Sequence, residues 1–175
     1  MKKRSIGVKA SDRVSSTIVI RDCEPRRDRK ELISCIVEMQ DFERSIEPML
    51  PAGTEMADSY LKLLLDRCSG KSGRVFVAQG DQAVVGFVGV IAKVKPTEPD
   101  EEATPYTYIS DLVVLPSHRR RGIGRALLRQ AEAYARDQGM TLLRINVLAK
   151  NQVAARLYRA FGFADYRIQL LKPLR

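Results

Sequence analysis

Apolar residues along the chain recur at two spacings, every second residue as in strands and every third or fourth residue as in helices. Short β-branched runs predict strands, and longer segments with one apolar stripe predict helices. The predicted elements, in order, are strand 17–21, a helix after Pro25, a helix from Thr54, strands 74–78, 84–91 and 106–115, a helix from Gly122 to Gly139, strand 142–148, a helix from Asn151 to about Phe161, and strand 163–171.

The order of these elements predicts an α/β domain. Hairpins join antiparallel strands, whereas the helix that follows strand 106–115 is a crossover, so we expect a mixed sheet flanked by helices. The apolar stretch 83–94 is too short for a transmembrane helix and contains Gly86 and Gly89, which favours a buried strand. We therefore expect no membrane association.

The length and composition predict one domain. The chain has 175 residues, of which 45% are hydrophobic and 29% are charged, so it can form a core and is not biased toward disorder. Residues 17–175 are expected to form the domain. Residues 1–16 are basic, have no apolar segment, and are expected to be a flexible tail.

The formal net charge of +9 is unevenly distributed: residues 1–30 carry +6, residues 31–115 carry −7, and residues 116–175 carry +10. The basic last third suits a polyanionic ligand, either nucleic acid or a phosphorylated cofactor. The acidic middle favours a cationic partner. The charge distribution is compatible with both kinds of partner.

The cysteine and histidine content argues against a metal site. Cys23, Cys35 and Cys68 form no Cys-x-x-Cys pair, and the chain has one histidine, His118. Unpaired cysteines favour a reducing compartment, and no secretory signal is visible at the N-terminus. The expected location is the cytoplasm.

A candidate phosphate site lies between strand 106–115 and the helix that follows it. Residues 119–126 read Arg-Arg-Arg-Gly-Ile-Gly-Arg-Ala. Glycines let backbone amides approach an anion, arginines neutralise phosphate, and a helix N-terminus is the positive end of the helix dipole. The alternative is a glycine-containing helix start whose arginines face water. No Gly-Lys-Ser/Thr follows, and Leu127 replaces the third glycine of Gly-x-Gly-x-x-Gly, so neither nucleotide motif is present.

Three linked motifs give the chain a family resemblance. They are Asp111-Leu112-Val113-Val114, Arg119-x-x-Gly122-x-Gly124, and Asn151-x-x-Ala154-x-x-x-Tyr158-x-x-x-Gly162-Phe163. Together they span residues 106–166, and in this order and spacing the chain resembles the GCN5-related N-acetyltransferase (GNAT) family. The resemblance implies a single-domain GNAT fold, in which a mostly antiparallel sheet has a bulge and a splayed pair of strands.

The resemblance also implies that acetyl-coenzyme A is the acetyl donor. Its pantetheine arm would pair with the exposed edge of the strand at Leu112, Val113 and Val114. Its diphosphate would bind near the glycine turn, and Asn151 would contact coenzyme A. The residues of this turn that are implied in donor binding are Arg119, Arg120, Arg121, Gly122, Ile123, Gly124 and Arg125.

Tyr158 and Asp111 are the candidate catalytic residues. By the resemblance, Tyr158 lies near the sulfur and protonates the departing thiolate. Asn151 and Tyr158 are seven residues apart, so they share one helix face, but a helix cap and a core tyrosine would show the same spacing. Asp111 is a candidate base; the alternative is a strand-end carboxylate. Some family members have a glutamate four residues before the Leu112 position, where this chain has Tyr108.

The resemblance predicts direct transfer of an acetyl group to a primary amine of a small molecule or a protein. Two alternatives are a noncatalytic coenzyme A sensor and a nucleic-acid-binding module that uses the arginines. Nucleic acid is disfavoured because no recognition motif is present. Family members are often dimers, so a homodimer is possible. The acids Glu38, Asp41, Glu43 and Glu47 either attract a cationic amine or form a solvated helix face.

Overall fold

A computed structural model describes residues 18–70, 72–81, 83–96 and 103–174, so the predicted tail, residues 1–16, lies outside the described part. Within that part no helix is both long enough and apolar enough to cross a bilayer. The elements are β1 (Val19–Asp22), α1 (Pro25–Ile46), α2 (Gly53–Cys68), β2 (Gly73–Gln79), β3 (Val84–Val94), β4 (Tyr106–Val114), α3 (Ile123–Asp137), β5 (Leu143–Ile145) and α4 (Gln152–Phe161).

The strands form one five-stranded sheet in the order β1-β2-β3-β4-β5. Every neighbouring pair is antiparallel except β4 and β5, which are parallel because α3 crosses over between them. One face of the sheet packs on α1 and α2 through Leu32, Ile36 and Leu61. The other face packs on α3 and α4 through Leu127 and Tyr158. The predicted α/β domain, with a mostly antiparallel sheet flanked by helices, is confirmed.

The end of the chain differs from the prediction. Residues 163–174 form neither strand nor helix, and β5 covers only residues 143–145 of the predicted strand 142–148. Residues 163–171 alternate as a strand does, but a strand forms only against a partner strand, and the three residues of β5 offer a short edge. The prediction of a last strand was therefore wrong for this chain.

The sheet splays open between β4 and β5. The two strands pair only where Thr107, Tyr108 and Ile109 face β5, and the rest of β4 has no strand on that side. On its other side, β4 pairs with β3 so that Asp111 lies opposite Gly89 and Ile109 opposite Val90, which leaves Ser110 as an extra residue in a bulge. The splayed pair and the bulge implied by the resemblance are both present.

Candidate active site

A cavity of about 750 Å³ lies where β4 and β5 separate. Residues 110–114 of β4 form its floor, and the turn before α3, the inner face of α4 and the C-terminal half of α1 form its walls. Because residues 110–114 of β4 have no strand partner on this side, their outward backbone N–H and C=O groups are available to an extended ligand. Leu112, Val113 and Val114 all line the cavity, which places the predicted pantetheine residues at this edge.

The N-terminus of α3 forms one end of this cavity. Its N-cap, Gly122, adopts φ +81°, and no side chain caps the helix. The first amides of the helix, those of Ile123, Gly124 and Arg125, are thus free to bind an anion. Gly124 also lets α3 approach α4, because a Cβ there would lie 3.2 Å from a methyl carbon of Leu157.

Besides Arg119, three arginine side chains add positive charge to this end of the cavity. Arg120 and Arg125 line it as predicted. Arg156 of α4 also lines it and was missed, because it belongs to no motif and only the fold brings it next to the glycine turn. Arg121 is exposed and does not line the cavity, so its side chain lies apart from the other three.

Arg119 connects the turn to two elements rather than extending freely into solvent. Its Nε donates a hydrogen bond to the carbonyl oxygen of Val114 over 2.8 Å, and its Nη2 lies 3.5 Å from a carboxylate oxygen of Glu38. Its guanidinium also lies 5.6 Å from the centre of the Phe42 ring. Arg119 therefore holds the turn against the end of β4 and against α1.

Asn151 and Tyr158 are both buried and both line the cavity. Asn151 caps α4, since its Oδ1 accepts a hydrogen bond from the amide of Ala154 over 3.1 Å. The Tyr158 ring packs edge-on against Phe163, with 5.9 Å between ring centres. Burial raises the pKa of Tyr158, and the carboxylates of Glu43 and Asp111 raise it further, so the hydroxyl remains protonated at neutral pH.

Asp111 is buried on the α1 and α2 side of the sheet and is 5% exposed. The Tyr60 hydroxyl of α2 donates a 2.6 Å hydrogen bond to its Oδ1, whereas Oδ2 has no hydrogen-bond partner among the described residues. Burial raises the pKa of Asp111 although the Tyr60 hydrogen bond acts in the opposite direction. This carboxylate lines the cavity and is buried, so it is not a solvated residue at the end of a strand.

Further features around Asp111 were not predicted from the sequence. Tyr60 lies in the helix predicted from Thr54, but nothing local in the sequence connects it with Asp111, which is 51 residues away. Residue 89 must be glycine because the side chains of Ser110 and Asp111 lie close to its backbone. A Cβ at that position would lie 2.6 Å from Ser110 Oγ and 3.3 Å from Asp111 Oδ2. Glu43 of α1 also lines the cavity, and burial raises its pKa, as does the nearby Asp111 carboxylate.

An open α/β sheet, splayed beside a helix N-terminus that can bind an anion, is the architecture of the GNAT acetyltransferases. The chain belongs to the acetyltransferase (GNAT) family, whose family model matches residues 36–163. The resemblance found in the three sequence motifs is thereby confirmed.

The curated relatives are named acetyltransferases. N-acetyltransferase 8B of Rattus norvegicus is 34% identical over 110 residues, which cover 63% of this chain and 46% of the relative. Streptothricin acetyltransferase of Streptomyces lavendulae is 39% identical over 92 residues, which cover 52% of this chain and 44% of the relative. The chain thus spans about half the length of these relatives.

Solved structures share the fold over nearly the whole chain. A GCN5-related N-acetyltransferase from Ralstonia eutropha is 25% identical, with a TM-score of 0.68 over 90% of this chain and 99% of that one. An aminoglycoside N-acetyltransferase crystallised with coenzyme A is 16% identical, with a TM-score of 0.66 over 93% of this chain and 98% of that one. At 16% identity, the similarity to the aminoglycoside N-acetyltransferase shows a shared fold and nothing further.

Proposed function

We propose that the chain is an acetyl-coenzyme A-dependent N-acetyltransferase that moves an acetyl group directly to a primary amine of a small molecule or a protein. The observation that carries this proposal is the continuous cavity, which joins the uncapped start of α3, the free edge of β4, and the buried hydroxyl of Tyr158. Relatives named for acetylation of streptothricin and of aminoglycosides support an amine acceptor.

The cavity fits the donor in shape and in charge. The diphosphate would bind the amides of residues 121–125, with Arg120 and Arg156 neutralising its charge. The pantetheine arm would pair with the edge of β4 at Leu112, Val113 and Val114, as an added strand does. Arg119 contributes by holding this turn in place, and Asn151 by fixing the start of α4 beside the arm.

The donor supplies an acetyl thioester, and residues of this chain handle the two protons of the reaction. The amine nitrogen bonds to the thioester carbonyl carbon, and the bond from that carbon to sulfur breaks. Tyr158 gives its hydroxyl proton to the departing sulfur, and Asp111 accepts the proton that the amine loses, directly or through water. A backbone N–H near Leu112 would stabilise the negative charge that develops on the carbonyl oxygen.

The test is to incubate the purified protein with acetyl-coenzyme A and a panel of polyamines, amino acids, aminoglycosides and peptides. We expect a rise in melting temperature with the donor, release of free thiol, and a product heavier by one acetyl group; coenzyme A in place of the donor should give no product. Donor binding without thiol release across the panel would favour the noncatalytic sensor. Stabilisation by DNA but not by the donor would favour the nucleic-acid module.

We also propose that the protein works in the cytoplasm as a homodimer. Cys23, Cys35 and Cys68 are all free, which suits a reducing compartment. Residues 166–174 leave several large apolar side chains in water, including Ile168 at 82% and Leu170 at 90% exposure. Exposed apolar clusters of this kind mark protein contact surfaces, and a second copy of the chain offers the same surface in return.

A further inference from the structure

The charges that line the cavity are separated along β4. The cations Arg119, Arg120, Arg125 and Arg156 line the cavity beside the start of α3, which follows the C-terminal end of β4. The acids that line the cavity are Asp111, three residues before Val114 on β4, and Glu43 of α1, which lies near enough for the Asp111 carboxylate to raise its pKa. With the donor diphosphate at the cationic end, the acidic part of the cavity is left for the other substrate.

Asp111 has an unused hydrogen-bonding position in this acidic part. Its side chain is 5% exposed, its Oδ1 accepts a hydrogen bond from Tyr60, and its Oδ2 has no partner within hydrogen-bond distance among the described residues, although the neighbouring Ser110 hydroxyl also acts to lower the pKa of the carboxyl group. A buried carboxylate oxygen without a donor carries a desolvation cost that a bound N–H group would relieve. The residue therefore indicates a ligand with a hydrogen-bond donor at this place.

Glu43 differs from the other acids of the same helix. Glu38 lies 3.5 Å from Arg119, and Asp41 accepts a 2.7 Å hydrogen bond from the amide of Gly53, so both serve the fold. Glu47 caps the end of α1 and does not line the cavity. Glu43 lines the cavity, and its carboxylate has neither a hydrogen bond nor an ion pair within the part of the chain that the structure describes.

We infer that Glu43 and Asp111 form the acceptor subsite and select an amine that carries a second ammonium group; this inference rests on the proposed acetyl transfer. Two carboxylates have two tasks. Asp111 takes the proton from the amine that reacts, and that amine must be neutral when it attacks. Glu43 then pairs with a second ammonium that keeps its charge throughout the reaction.

The test compares two acceptors of equal length, 1,4-diaminobutane and 4-aminobutan-1-ol, in which a hydroxyl replaces one ammonium group. We expect the wild type to acetylate the diamine with a kcat/KM about tenfold or more above that of the amino alcohol. Glu43→Gln should bring this ratio close to one, mainly through a higher KM for the diamine. Glu47→Gln, the same change one helical turn away, should keep the wild-type ratio.

Donor affinity, measured by calorimetry with acetyl-coenzyme A, shows whether each variant is folded and should equal the wild-type value in both. Three results would overturn the acidic acceptor subsite but leave the acetyltransferase proposal standing. They are a wild-type ratio near one, an equal fall of the ratio in Glu43→Gln and Glu47→Gln, and turnover of other panel amines but of neither probe. Donor binding with no turnover of any panel amine would instead contradict the acetyltransferase itself.

Discussion

At the scale of single residues, burial decides what the tyrosines can do. Tyr158 and Tyr134 are each 8% exposed, and burial raises the pKa of both. Tyr134 packs in the core against Phe76, whereas Tyr158 lines the cavity beside the free edge of β4. Under the proposed mechanism, Tyr158 can donate its proton to the departing sulfur because it lies in the cavity, so the positions of the two tyrosines distinguish them, whereas the directions of their pKa shifts do not.

Tyr158→Phe should lower kcat about 100-fold and leave the dissociation constant of acetyl-coenzyme A nearly unchanged, because the hydroxyl acts only when sulfur departs. Steady-state kinetics together with calorimetry measure both quantities. Tyr134→Phe is the matched control and should keep wild-type kcat. An unchanged kcat in Tyr158→Phe would remove this residue as the acid.

Arg156→Glu should weaken acetyl-coenzyme A binding about tenfold, because it places a negative charge at the phosphate end of the cavity. The loss should shrink in 0.5 M salt, which screens exposed charges. Arg129→Glu makes the same change on an exposed position of α3 outside the cavity and should have little effect. Equal affinities of the Arg156 variant and the wild type in calorimetry would argue against the placement of the phosphates.

At the scale of elements, a buried ion pair ties α1 to the edge of the sheet. Arg21 of β1 donates two 2.7 Å hydrogen bonds to the carboxylate of Asp28, which is 2% exposed and also accepts from the amide of Glu24 over 2.8 Å. Burial alone would raise the pKa of Asp28, but these hydrogen bonds and the Arg21 charge outweigh burial and lower it. The pair sets the position of α1, whose other end lines the cavity.

Asp28→Asn should lower the free energy of unfolding by about 2–3 kcal/mol at pH 7, since it leaves the Arg21 guanidinium without its charged partner. The depressed pKa means that this stabilisation exists above the unfolded-state pKa of about 3.9 and is lost as pH falls through the folded-state value. Urea denaturation at several pH values measures it, and the variant and the wild type should converge in acid.

Asp58→Asn is the control for this ion pair, because Asp58 forms an exposed pair with Arg29 and should change stability by less than about 1 kcal/mol. Equal losses of unfolding free energy for the two substitutions would show that the buried pair contributes no more to stability than the exposed pair.

The sequence predicts an element well where its signal is local. The glycine turn before α3 was predicted because Gly122 and Gly124 stand among arginines at the end of a strand, and the structure has Gly122 at φ +81°. Strand 163–171 was predicted from its strand-like residues, which say nothing about a partner strand. The contact of Tyr60 with Asp111 joins residues 51 apart, and only tertiary packing creates it. Glu43 could not be separated from its three acidic neighbours until the cavity was known.

At the scale of the whole molecule, residues 166–174 form an apolar surface that nothing in a single copy of the described chain covers. Residues 166–174 expose Tyr166, Ile168, Leu170, Leu171 and Leu174, each by 60% or more. Tyr166 lies next to β5, since the guanidinium of Arg144 is 4.7 Å from its ring centre. An apolar segment beside a short edge strand is a natural site for pairing with a second copy.

The double variant Ile168→Asp, Leu170→Asp should convert a dimer into a monomer, because each charge would be buried at the interface. Size-exclusion chromatography with light scattering should give about twice 19.7 kDa for the wild type and about 19.7 kDa for the variant. Met49→Asp alters a side chain that is 90% exposed elsewhere and should remain dimeric. A monomeric wild type at micromolar concentration would contradict the homodimer.

Under the proposed function, the start of α3 and the free edge of β4 together bind acetyl-coenzyme A. An NMR titration of ¹⁵N-labelled protein with the donor tests it most directly. We predict that the largest amide shifts will fall on residues 112–114 and 122–125, and that the hairpin between β2 and β3 will change little. Saturable binding that left both groups of amides unshifted, or no binding at all, would contradict the account.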